Sequence, residues 1–138
     1  MKGEQYHLPV REAMTPDAVV VDGLTTVSDA LAMMRERNIS SLVVERRNER
    51  DEYGLVLVGD IAREVVNGNR VPSRTHLYEV MCKPALSVDA EMGVRYAIRL
   101  MQRLGQTHTL VVDGRQLVGI VTLRDLVVRY IDGPTAGG

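Results

Sequence analysis

A mixed α/β fold built from two like halves is predicted by three observations. The apolar set Val27, Ala30, Leu31, Met34 recurs 67 residues later as Val94, Ala97, Ile98, Met101. Short β-branched runs flank both copies, and both copies stop at a residue suited to ending a helix, Asn38 and Gly105. A half of roughly 60 residues has little core of its own, so two halves bury their sheet faces against each other. The prediction is an α/β (α+β) chain of two β-α-β-β-α repeats, packed through their sheets with pseudo-twofold symmetry.

Each half opens on a β-prone segment, Ala18–Val21 and Ala85–Val88. The first helix follows, its apolar residues at i, i+3, i+4 and i+7 marking one buried face. Met34 and Met101 stand at core spacing there, which reads as packing rather than as a soft-metal box with Met33 and Met92. Next come Leu42–Val44 and Leu110–Val112, a polar turn, and then Gly54–Val58 and Gly119–Leu123, two strands joined as a hairpin. The offset between copies drops from 68 to 65 across the turn, so the first turn is three residues longer and the length difference falls in a loop. Asp113-Gly114 suits a tight turn with positive φ, whereas Glu45–Glu52 reads as a charged, solvated tip. Second helices at Asp60–Val66 and Asp125–Ile131 end at Asn67-Gly68 and at Asp132-Gly133-Pro134. The boundaries are therefore 9–67 for the first repeat, 68–76 for a polar connector and 77–132 for the second repeat. Residues 1–8 and 133–138 form flexible termini.

Composition narrows the function. The 138 residues carry 17 basic and 18 acidic side chains, a formal charge of −1, which supplies no excess positive field for nucleic acid. There is no Phe and no Trp, so platforms for stacking bases are scarce. The single Cys82 cannot form an internal bridge and reads as a small, buried or half-buried side chain in a reducing compartment. No apolar run reaches membrane-spanning length and no signal peptide is visible, so a soluble cytoplasmic protein is expected. His7, His76 and His108 form no helical zinc motif, no cysteine pair exists, and neither a nucleophile elbow nor a phosphate loop occurs. The chain reads as a non-enzyme without a metal site.

Four segments carry a family likeness: Met14-Thr15-Pro16, Met81-Cys82-Lys83-Pro84, His108–Asp113 and Gly119-Ile-Val-Thr-Leu-Arg-Asp-Leu126. From Pro9 to Ile131 the chain resembles a tandem pair of cystathionine-β-synthase (CBS) domains, a Bateman module. That resemblance implies clefts that in many members bind adenosine-containing ligands such as AMP, ADP, ATP or S-adenosylmethionine. It also implies pairing into a flat homodimer.

The residues support a ligand site on chemical grounds. Asp125 begins a helix, where a carboxylate can accept two hydrogen bonds from a ribose diol. Thr122 and the helix-start N–H groups can face a phosphate, with Arg124 adding charge. Adenine would lie against apolar strand residues such as Ala85, Leu86 or Val111. Thr122-Leu-Arg-Asp125 is equally a helix-capping arrangement, and the two readings are compatible if ligand diverts the side chains. His108 is either a donor beside the cleft or a plain strand-edge histidine. In the first copy Leu57 replaces the threonine, Ser40 is the counterpart of His108, and only Asp60 is kept, so the two clefts are expected to be unequal.

The function these features predict is a stand-alone regulatory module that binds an adenine nucleotide through the second repeat and signals to an effector protein or through its own dimer. The rival is a structural scaffold whose clefts have lost their ligand. Leu57 favours the rival; Thr122 with Asp125 opposes it.

Overall fold

The computed structural model describes residues 7–133, so residues 1–6 and 134–138 of the expected flexible ends lie outside the described residues. The chain divides into two compact units. One is Val19–Ala85; the other joins the segment up to Ala18 to everything from Leu86 onward. The sequence repeat and the compact units are thus offset from each other. The segment that precedes each repeat in the chain belongs to the unit of the other repeat.

The Val19–Ala85 unit contains β2 (Val20–Val21), α1 (Val27–Arg37), β3 (Ser41–Val44), β4 (Gly54–Leu57) and α2 (Val58–Ile61). After Ile61 the last helix continues as one π turn, Ala62–Val66, where a single helix over Asp60–Val66 is expected from the sequence. The strand order is β2-β3-β4, parallel then antiparallel. The second unit contains β1 (Thr15–Pro16), β5 (Ser87–Asp89), α3 (Val94–Leu104), β6 (His108–Asp113), β7 (Gln116–Thr122) and α4 (Leu123–Asp132). Its sheet runs β1-β7-β6-β5. From β2 and from β5 onward, the strand-helix-strand-strand-helix order holds in both halves.

Local chemistry explains the helix limits. Thr26 caps α1 by accepting the Asp29 N–H at 3.1 Å. Asn38 at φ 54° and Gly105 at φ 66° end α1 and α3 in left-handed backbone, each donating its N–H back to the last turn. Val27, Ala30 and Met34 are buried on α1, and Val94, Ala97 and Met101 on α3. The i+4 members fall at the edge of that stripe, with Leu31 exposed and Ile98 only partly buried. Two core clusters result, one per unit, with Leu42, Val56 and Leu77 in the first and Val111, Val121 and Leu126 in the second.

The lead-in segments dock in the same way in both units. Thr15 pairs with Ile120 and Pro16 with Gly119 across β1 and β7. Cys82, 67 residues after Thr15, exchanges two backbone hydrogen bonds with Leu55 at 2.9 and 3.0 Å. Side chains alternate along such a segment, so Met81 turns inward and Cys82 outward. Cys82 is accordingly exposed, not buried or half-buried as its type suggests. The inward methionines lie on glycines: a Cβ at Gly54 would sit 2.6 Å from Met81 Sδ, and one at Gly119 only 2.7 Å from both Met14 Sδ and the Thr15 carbonyl oxygen. Glycine is needed at these strand positions for close approach, not for its backbone freedom.

Charge completes the docking. Arg129 donates to Glu12 at 3.1 Å, and Arg70 pairs with Glu79, the residue 67 positions after Glu12. Lys83 reaches the hairpin tip and donates to Asp51 at 2.7 Å. Lys83, followed by the backbone and side chain of Arg47, holds the Asp51 carboxyl well below the usual carboxylate range. The tip is therefore not wholly solvated: Asp51 is an anchor.

Candidate functional site

The second unit brings three of the expected site residues together. The β6–β7 register places His108 opposite Thr122, and α4 begins directly after Thr122, so Asp125 stands one turn into the helix. Thr122 Oγ1 accepts the Asp125 N–H at 3.0 Å, which is the capping role. Its own hydroxyl proton is left to donate. Asp125 does not reach back to the Thr122 amide. Among the described residues its carboxylate has one partner, Arg124 Nη1 at 3.3 Å, and Arg124 is itself largely in solvent.

The first unit holds the opposite half of the same arrangement. Leu57 has no oxygen with which to cap, and Asp60 Oδ2 instead accepts the Leu57 N–H at 2.8 Å. Asp60 Oδ1 accepts from Arg63 at 2.9 Å. Both oxygens are engaged, and the Asp60 side chain is 15% exposed against 39% for Asp125. The Asp125 carboxylate keeps unused acceptor capacity, whereas at Asp60 the helix amide and Arg63 engage both oxygens.

His108 is half-buried, and Thr107 Oγ1 lies 2.9 Å from its Nδ1. With that hydroxyl donating, the neutral ring carries its proton on Nε2. Burial lowers the His108 pKa below its ordinary value of 6.5, while the charge of Asp125 acts in the opposite direction. Burial thus favours the neutral imidazole, and the nearby Asp125 charge opposes it.

The remaining expected residues are dispersed. Leu86 accepts from the Leu110 N–H at 2.9 Å and from the Thr109 hydroxyl at 3.0 Å, and it packs against the core of the second unit. Ala85 belongs with Asp60 to the other unit and donates to the Tyr53 carbonyl at 2.9 Å. Val111 is fully buried within the core cluster, so it is a packing residue rather than a ligand wall. Sequence reasoning passes over Thr107 and Arg63. The i, i+3 spacing of Asp60 and Arg63 on one helix is the signal that could have found the latter. Among the described residues no cluster of three His, Cys, Asp or Glu could hold a metal ion, and no helix is long and apolar enough to cross a membrane.

Both halves repeat one strand-helix-strand-strand-helix order, and comparison with known proteins finds the same repeat. The CBS domain family model matches residues 10–67 and 77–132. The chain belongs to the CBS domain family, with two such domains in tandem. It is 30% identical over 120 residues to the uncharacterized protein MK0525 of Methanopyrus kandleri, covering 86% of this chain but 60% of that one. It is 28% identical to the CBS domain-containing protein YhcV of Bacillus subtilis, over 93% of this chain and 89% of that one. Among solved structures, the hexameric CBS-CP12 protein from bloom-forming cyanobacteria superposes with a TM-score of 0.86 at 34% identity, covering 94% of this chain and 72% of that one. The CBS domain protein TA0289 of Thermoplasma acidophilum gives 0.81 at 31%, over 89% and 69%. These neighbours share the mixed α/β fold described above.

Proposed function

We propose that the protein is a regulatory CBS pair, not an enzyme, that binds an adenine nucleotide at the second-repeat site and passes the signal to a partner or through its own dimer. The observation that carries this reading is the contrast between the two aspartates. Asp125 is partly exposed with a single weak partner, while Asp60 is held on both oxygens. In the bound state Asp125 takes the ribose diol, the Thr122 hydroxyl and the His108 Nε2 proton face the phosphate, and Arg124 adds positive charge. Leu86, of the same unit, supplies apolar surface for adenine. One CBS pair of the same fold, MJ0100, is solved with 5′-methylthioadenosine and S-adenosylmethionine, which supports an adenosine-containing ligand here.

A ligand shifts an equilibrium only through unequal affinity for two states, so the signal requires a second molecule whose docking differs between them. Self-association is the simplest form; the CBS-CP12 neighbour is a hexamer. A thermal-shift panel of AMP, ADP, ATP and S-adenosylmethionine tests the binding. At about a hundred times its dissociation constant a true ligand stabilises by about 2.7 kcal/mol. A flat response to all four supports the scaffold reading, which the engaged Asp60 and the Leu57 replacement favour for the first repeat.

A further inference from the structure

The outward face of α3 is basic and unpaired. Arg95, Arg99 and Arg103 recur every fourth residue, opposite the buried stripe of Val94, Ala97 and Met101. Their Cα positions span about 12 Å along the helix. All three are exposed, and among the described residues none joins an ion pair. α3 contains no acidic residue, and the nearest carboxylate before it, Glu91, is taken by Arg11 at 2.6 Å. The chain is −1 overall, so this helix at +3 sits in a remainder of −4.

Duplication supplies an internal control. The counterparts of these arginines on α1 are Ser28, Ala32 and Glu36, so the same helix in the other repeat has no such stripe. Tyr96 lies beside it, 60% exposed, with the Arg99 guanidinium 5.7 Å from its ring centroid. A Cβ at Gly93 would lie 3.2 Å from Tyr96 Cδ2, so the glycine lets the ring rest on the helix start. Tyr and Arg are enriched in binding hot spots, and here Tyr96 and Arg99 already lie against each other before any partner arrives.

We propose that the Arg95–Arg99–Arg103 face of α3, with Tyr96, docks an acidic protein segment whose carboxylates repeat at the same one-turn spacing. Carboxylates on a partner helix at i, i+4 and i+8 match the arginines one to one, each in reach of a forked hydrogen bond. A second copy of this face would oppose three positive charges to three. Nucleic acid fits less well, because three cations and one tyrosine make a short track within an acidic chain.

The test uses the full chain and a fluorescein-labelled helical peptide bearing Glu at three positions four residues apart, read by anisotropy in about 50 mM salt, where surface charge is weakly screened. The Gln version of the peptide and a single-stranded oligonucleotide are the comparisons. The proposal expects the Glu peptide to bind at least tenfold tighter than the Gln peptide. It expects that preference to vanish in Arg95→Gln/Arg99→Gln/Arg103→Gln, and Tyr96→Ala to weaken binding severalfold. Charge reversal to glutamate should transfer the preference to a Lys peptide. Equal binding of Glu and Gln peptides, an unchanged preference in the triple variant, or tighter arginine-dependent binding of the oligonucleotide overturns it. None of these readouts depends on nucleotide, so failure here leaves the second-repeat site untouched.

Discussion

Asp60 and Arg63 are joined at 2.9 Å on one helix turn, while Asp125, the counterpart of Asp60, has Val128 three residues on, where the first repeat has Arg63. The pair closes the first-repeat carboxylate from one side and the Leu57 amide closes it from the other. Leu57→Thr/Arg63→Ala restores a capping hydroxyl and removes the ion pair. Calorimetric titration with the nucleotide found by the thermal-shift panel should then rise from one site per chain toward two. Stoichiometry unchanged at one would show that the first repeat is closed by something else.

The two aspartates should also separate in stability. Asp60 satisfies a helix-start amide and Asp125 does not, so Asp60→Ala should cost about 1 kcal/mol without ligand and Asp125→Ala only a few tenths. Thr122→Ala, which removes a cap seen at 3.0 Å, should again cost about 1 kcal/mol. Urea melts of the three variants check the order, and a larger loss for Asp125→Ala than for Asp60→Ala would be wrong for this account.

Close approach makes a further distinction between equivalent glycines. At Gly119 the obstacle includes the Thr15 carbonyl, which is backbone, whereas at Gly54 it is the Met81 side chain, which can turn aside. Gly119→Ala should therefore lose about 1–3 kcal/mol and Gly54→Ala distinctly less. Thermal unfolding of both variants measures the difference. Equal losses would place the strain elsewhere.

His108 gives a pH signature. Its folded pKa is lowered, first by burial, so stability is unaffected above the ordinary value of 6.5 and declines as pH falls from there through the folded value. Asp125 opposes the shift, so Asp125→Asn should lower the His108 pKa further, and a bound phosphate should raise it. Ring-proton NMR titration reads all three states. A His108 pKa unmoved by Asp125→Asn would separate the two residues.

Periodicity and duplication made the secondary structure legible, because apolar spacing and helix-stop residues are local. They could not show which unit each lead-in joins. The Glu12–Arg129 pair links residues 117 apart, and no local pattern encodes it. The Thr122-to-Asp125 spacing announced a cap and a ligand loop equally well. Only side-chain direction shows that Thr122 caps while Asp125 does not reach back, and that in the first repeat Asp60 turns back onto the Leu57 amide. Residue type alone suggests a buried Cys82, whereas strand alternation turns Met81 in and Cys82 out.

Asp125 is the decisive residue, and calorimetry of the full chain with the adenine nucleotide that stabilises it most measures its role directly. One site per chain, retained in Asp60→Ala and weakened at least tenfold in Asp125→Ala, is the predicted result. Two equal sites, or full affinity after Asp125→Ala, would contradict it.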